Sequence, residues 1–118
     1  MGFHACLGEL DEIELSGGFF DYVEKYTLKS SKIHLPARLA PETAARLKQT
    51  AAVVYRALNC SGLARVDLFL TPQQEIYFNE VNTIPGFTSH SRFPSMLQAV
   101  GLTFEQIVDN LIGQAIHP

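Results

Sequence analysis

Asp67, Glu80 and Asn82, two carboxylates and a carboxamide with Arg65 near the first, are the side chains of this chain best suited to chemistry. Clustered oxygen donors suit a hard divalent cation, and a set that leaves positions open for phosphate oxygens suits magnesium. All four lie in segments rich in strand formers, Ala64-Arg-Val-Asp-Leu-Phe-Leu70 and Glu75-Ile-Tyr-Phe-Asn-Glu-Val-Asn82, separated by Thr71-Pro-Gln-Gln74. That spacing predicts a β-hairpin. With Leu70 paired to Glu75, Asp67 stands opposite Phe78 and Arg65 opposite Glu80, and two-residue alternation puts Asn82 on the same side. The other side, Ala64, Val66, Leu68 and Leu70 with Tyr77 and Val81, is an apolar surface to bury. The plainer alternative is an exposed hairpin whose Arg65–Glu80 ion pair carries little energetic weight and no function.

The segment that follows, Thr83-Ile-Pro-Gly-Phe-Thr-Ser-His-Ser-Arg92, favours the site over the plain hairpin. It joins a Pro-Gly turn to several small hydroxyl residues. A loop at the carboxyl end of a strand, exposing backbone N–H groups, is where α/β folds place ligands.

The elements that must position these groups are those of a small mixed fold. At 118 residues the chain is one domain or part of one, and 47% hydrophobic with 18% charged residues is ordinary globular composition. A net charge of −3 with no Lys/Arg cluster argues against nucleic-acid binding, and no apolar run is long enough to span a bilayer. Cys6 and Cys60 are far apart and outside any paired spacing, so neither a disulfide framework nor a zinc site is indicated, and a reducing cytoplasm fits. His4, His34, His90 and His117 show no helical metal spacing and read as surface residues, His90 standing out only for its loop.

Along the chain, Ala5 to Leu15 alternates weakly and predicts one or two short strands, with Asp11, Glu12 and Glu14 as a solvated acidic edge. Paired glycines at 17 and 18 break that pattern, and the stretch to Ser31 has no sustained period, as expected of a mobile loop over Phe19–Ser31. Lys32 to Leu39 reads as a strand that stops at Pro36. Pro41 to Asn59 is the surest helix, with Leu47, Ala51, Val54, Tyr55 and Leu58 on one stripe and Gly62 past its end. After the hairpin, Pro94 opens a short helix that Gly101 ends. A last helix starts from Thr103, with Gln106 as capping-box partner and Leu102 placed to staple onto Ile107. Its apolar stripe is Phe104, Ile107, Val108, Leu111, Ile112 and Ala115. The order gives an α+β fold with a mainly antiparallel sheet packed with helices. No GxxxxGK(S/T) loop and no GxGxxG fingerprint occurs, so a complete nucleotide fold is not present.

Taken together, Gly17-Gly-Phe-Phe-Asp-Tyr22, Glu24-Lys-Tyr26, Leu63-Ala-Arg-Val-Asp67 and Asn79-Glu-Val-Asn-Thr-Ile-Pro-Gly-Phe-Thr-Ser-His-Ser91 resemble the C-terminal part of D-alanine:D-alanine ligases, members of the ATP-grasp enzymes. The resemblance runs from about Asp11 to the last helix and is nearest to ligases making D-alanyl-D-alanine or D-alanyl-D-serine. It implies a C-terminal ATP-grasp subdomain and a two-step reaction: ATP phosphorylates the carboxylate of one D-alanine, then the amine of a second D-amino acid displaces phosphate. It further implies Asp67, Glu80 and Asn82 as ligands of two Mg2+ ions, Mn2+ being an acceptable substitute, with Glu80 bridging. Asn79, Glu80 and Lys25 are implied at the ATP. Arg65 and the backbone N–H of Gly86 are implied at the developing oxyanion, Ser91 at the carboxylate of the second amino acid, and Lys25 and Tyr26 on a loop that closes over the site. The matching plain readings are an Arg65–Glu80 pair, a solvated Lys25, and Ser91 as a cap of the following turn.

The resemblance leaves unmatched the N-terminal and central domains that such ligases use for the first D-alanine and for ATP, and residues 1–10 read as compressed. The expectation is therefore a polypeptide inactive alone, from a cytoplasmic enzyme of peptidoglycan precursor synthesis that is a homodimer when intact. The competing expectation is a non-catalytic module that keeps the fold and associates through apolar surfaces.

Overall fold

A computed structural model of the chain describes residues 7–15, 31–88 and 90–117. The expected mobile loop falls outside the described residues apart from Ser31, which begins a strand. Elements follow in the order β1 (Glu12–Leu15), β2 (Ser31–His34), α1 (Pro41–Ala57), β3 (Arg65–Leu70), β4 (Ile76–Asn82), α2 (Arg92–Gln98) and α3 (Phe104–Ile116). Both pairs of strands are antiparallel, β1 with β2 and β3 with β4, so the fold is α+β as expected.

α1 begins where a proline can occupy the first turn at no cost in hydrogen bonds, since that N–H has no intrahelical partner. Its end is set earlier than Gly62. Asn59 takes φ 55°, its N–H donates to Arg56 O at 3.0 Å, and the Cys60 N–H donates to Tyr55 O at 3.0 Å. This pair of bonds is a Schellman close, with asparagine in the left-handed position. Leu58 is thereby left past the helix and 51% exposed, not on the buried stripe. Tyr55 Oη then donates to Gly62 O at 2.8 Å, holding the link that leads into β3.

α2 starts at Arg92, two residues before the expected start at Pro94. Pro94 sits inside the first turn, where its missing N–H is still no loss, and is fully buried. α3 carries the expected capping box: Thr103 Oγ1 accepts from Gln106 N at 3.1 Å and Gln106 Oε1 accepts from Thr103 N at 2.9 Å. Its inner face is Ile107, while Ile112 is half exposed.

Leu47, Leu97 and Ile107 are the buried aliphatic side chains of α1, α2 and α3, and a cavity of about 210 Å³, lined by Leu97 and Ile107 among others, lies between the helices and β3. The segment before β1 packs here. Glu9 N donates to Met96 O at 2.8 Å, and a β-carbon on Gly8 would come within 3.0 Å of the same carbonyl, so only glycine fits there without a shift. No helix among the described residues is long and apolar enough to cross a membrane.

Candidate functional site: an acidic hairpin face and a hydroxyl turn

The hairpin forms, but in a different register from the one expected. Gln74 adopts φ 67°, which lengthens the turn, and Leu70 pairs with Ile76 instead of Glu75. The turn is closed by Gln74 N donating to Thr71 O at 2.9 Å, and it is tied to α1 by Thr43 Oγ1 and Arg46 Nη2, both donating to Gln74. A second irregularity follows: Leu68 faces Phe78, yet Asp67 faces Glu80, so Asn79 is the extra residue of a β-bulge. The two shifts correct both expected pairings, since Asp67 stands across from Glu80 and Arg65 across from Asn82.

The bulge has a consequence for faces. Up to Phe78 the alternation sets Ile76 and Phe78 with Leu68 and Leu70, and beyond Asn79 it resumes with Val81 beside Val66. Tyr77 therefore falls with Phe69 on the face of Arg65, Asp67, Glu80 and Asn82, contrary to its expected place on the apolar side. Phe69 and Tyr77 are 55% and 54% exposed, an apolar extension of the charged face.

The side chains on that face engage one another. Arg65 forks onto Asp67, Nε to Oδ1 at 2.9 Å and Nη2 to Oδ2 at 3.0 Å, while its Nη2 stays 3.9 Å from Glu80 Oε1. The Arg65–Glu80 ion pair of the plain reading is present at 3.9 Å, while the bidentate hydrogen bonds of Arg65 go to Asp67. Asn82 Oδ1 accepts from Ile84 N at 3.0 Å, which turns the chain out of β4. Among the described residues no three His, Cys, Asp or Glu side chains cluster, so a cation here needs the Asn82 amide beside Asp67 and Glu80. The donors present, two carboxylates and an amide oxygen with lone pairs left over, fit a hard divalent ion.

Downstream of β4 the hydroxyl-rich segment folds onto itself. Ser91 Oγ accepts from Thr88 N at 3.0 Å and lies 2.8 Å from Thr88 Oγ1, and Ser91 N donates to Thr88 O at 3.1 Å. Ser91 occupies the N-cap position of α2, but its hydroxyl caps no helical N–H. Gly86 stands against it: a β-carbon there would be 3.0 Å from Ser91 Oγ. Phe87 packs on Phe104 and Phe93, with ring centroids 5.0 and 6.1 Å apart, which anchors this turn to α2 and α3.

Sequence reasoning missed the contact next to Ser91. Arg92 forks onto Asp11, Nε to Oδ2 at 2.7 Å and Nη2 to Oδ1 at 3.0 Å, with the Asp11 side chain only 7% exposed. Asp11 is thus no part of a solvated edge. Its carboxylate also offsets an arginine at the positive end of α2. The rest of that edge is paired as well: Glu12 accepts a fork from Arg38, and Glu14 lies 2.8 Å from His34 Nε2. Arg38 holds the Glu12 carboxyl below its ordinary range, and the His34 contact, followed by Arg38, does the same for Glu14. Only the 81-residue separation hid the Asp11–Arg92 pair, because nothing local marks it.

Of the residues expected at a site, Arg65, Asp67, Glu80 and Asn82 share one face, Asn79 is the exposed bulge residue beside it, and Gly86 and Ser91 form one turn. Lys25 and Tyr26 lie outside the described residues.

An antiparallel hairpin bearing facing carboxylates is followed by a hydroxyl turn that starts a helix, and both belong to one small α+β domain. The D-ala D-ala ligase C-terminus family matches residues 4–113, and the chain belongs to that family. The vancomycin C-type resistance protein VanC2 of Enterococcus casseliflavus is 48% identical over 106 residues, 90% of this chain and 30% of that protein. Among solved structures, the VanG D-Ala:D-Ser ligase from Enterococcus faecalis superposes with a TM-score of 0.79 at 63% identity, covering 91% of this chain and 31% of that one. The D-alanine–D-alanine ligase from Bacillus anthracis complexed with ATP superposes with a TM-score of 0.74 at 31% identity, covering 92% and 35%. The chain thus spans about 30% of the length of the curated relatives it matches.

Proposed function

We propose that this chain is the catalytic C-terminal portion of an ATP-dependent ligase that joins D-alanine to a second D-amino acid for cell-wall precursor synthesis in the cytoplasm. Family membership over residues 4–113 supports the ligase reading, and the facing carboxylates on the hairpin carry it. D-serine is the acceptor this reading favours, supported by 63% identity to a D-Ala:D-Ser ligase against 31% to the Bacillus anthracis enzyme.

In the proposed reaction an oxygen of the D-alanine carboxylate attacks the γ-phosphorus of ATP and ADP leaves. The acceptor amine then attacks the acyl carbon, phosphate departs with the bonding electrons, and the nitrogen gives up one proton to the departing phosphate or to water. Asp67, Glu80 and Asn82 would hold Mg2+, which supplies charge neutralisation to the phosphates. Asn79, beside Glu80, and Lys25 would serve the nucleotide. Arg65 and the Gly86 N–H donate to the oxyanion that develops on the acyl oxygen as the amine attacks, an electrostatic role. Ser91 Oγ receives the acceptor carboxylate, and Tyr26 with Lys25 closes the site against water. Because the chain spans about 30% of its curated relatives' length, turnover requires the remainder of a ligase to position both substrates.

The test is phosphate release from ATP with D-alanine, D-serine and Mg2+, with the chain alone and with the N-terminal two-thirds of the VanG ligase supplied in trans. Release is expected only in the second case, and Glu80→Gln should abolish it. An absence of release from a complemented, folded protein would refute the proposal.

A further inference from the structure

We propose that Arg65 is a resident stand-in for the cation, and that a divalent ion exchanges with its guanidinium at Asp67 and so frees it to meet an anion. The inference rests on the reading of Asp67 and Glu80 as cation ligands. Asp67 and Glu80 stand directly across from each other, an arrangement of like charges that destabilises a hairpin unless it is compensated. Arg65 compensates, because its fork occupies both Asp67 oxygens at 2.9 and 3.0 Å and its Nη2 lies 3.9 Å from Glu80. The planar fork matches a carboxylate in both bonds at once, which an ammonium cannot do.

A divalent ion approaching these carboxylates takes over the same charge compensation. It also repels the guanidinium at short range and competes for the Asp67 lone pairs that the fork holds. The formal charge of Arg65, Asp67 and Glu80 together is −1, and a dication turns it to +1. The loaded hairpin face then carries surplus positive charge and a guanidinium with donors released from Asp67, the condition under which a phosphate or acyl oxyanion is attracted. Arg65 thereby becomes available to the anion only after the cation has arrived.

The experiment follows Mn2+ binding to the 118-residue chain by loss of the free-ion electron paramagnetic signal, and the Arg65 Nε–H resonance during Mg2+ titration. In the wild type, Mg2+ is expected to shift that resonance and to speed its exchange with water. Arg65→Lys keeps the charge but loses the fork, and should bind Mn2+ about threefold more tightly. Arg65→Met loses both and should gain about tenfold. Asp67→Asn should abolish binding in each background. Binding by the variants but not by the wild type also supports the exchange. An Arg65→Lys affinity equal to or weaker than that of the wild type, or an Nε–H signal unmoved at saturation, overturns the exchange while leaving the cation reading in place. No binding by any folded protein, or binding that survives Asp67→Asn, overturns both.

Discussion

The contact between Gly86 and Ser91 allows a prediction worked from distances. A β-carbon on Gly86 would lie 3.0 Å from Ser91 Oγ and 3.5 Å from Ser91 Cβ. The first separation is tighter than most such contacts and asks Ser91 to yield, and the second is ordinary contact. Gly86 is not among the glycines with positive φ, so Gly86→Ala meets no backbone penalty and its cost is confined to this contact. Ser91 Oγ has to give by a few tenths of an ångström, and the expected response is a rotation of the hydroxyl that breaks the bond from Thr88 N at 3.0 Å and the 2.8 Å contact with Thr88 Oγ1. At about 0.5–1.5 kcal/mol net for each bond, towards the low end at an exposed turn, the expected loss is about 1–2 kcal/mol. Ser91→Ala loses the same two bonds. In Gly86→Ala/Ser91→Ala the new methyl meets only the β-carbon, so the double variant should cost no more than Ser91→Ala alone. The cycle should therefore show a coupling of about 1–2 kcal/mol. Urea denaturation of the four proteins measures it, and each kcal/mol corresponds to roughly 4–8 °C in melting temperature for a chain of this size. Additive losses, with coupling under about 0.3 kcal/mol, would show that Gly86 and Ser91 do not touch as described.

Two further outcomes are expected. Asp11→Asn strips the charge from the fork that anchors Arg92. Breaking a buried pair costs about 3–5 kcal/mol, and the 26% exposure of Arg92 lowers the expected loss to about 2 kcal/mol, read as a fall in urea midpoint with unchanged slope. The β1–β2 hairpin should loosen in acid. Folding depresses the Glu12 and Glu14 carboxyls, so their stabilisation is complete above the ordinary glutamate value of about 4.3 and is lost as pH falls through the lower folded values. Amide hydrogen exchange at Ile33 reports this, and Arg38→Ala should flatten the acid step, since Arg38 is the principal cause of the Glu12 shift.

What the sequence determined by itself was local or compositional. The periodicity of Leu47, Ala51 and Tyr55 marks α1, and Thr103 with Gln106 marks the start of α3 because a capping box is complete within four residues. The strand formers around Thr71–Gln74 mark a hairpin, and the run from Asn79 to Ser91 identifies the family. That Arg65, Asp67, Glu80 and Asn82 share a face was legible too, although for the wrong register. The expected pairing lacked both the left-handed Gln74 and the bulge at Asn79, and the two added offsets left the parity of Glu80 and Asn82 unchanged while reversing that of Tyr77. Only the tertiary structure decided which carboxylate holds Arg65, that Asp11 reaches Arg92 across the chain, and that Ser91 turns to Thr88 instead of capping α2. Side-chain periodicity reports which face a residue takes, whereas ion-pair partners and bulges are set by competition among groups remote in sequence, each choosing the geometry that best satisfies its charge or hydrogen bonds.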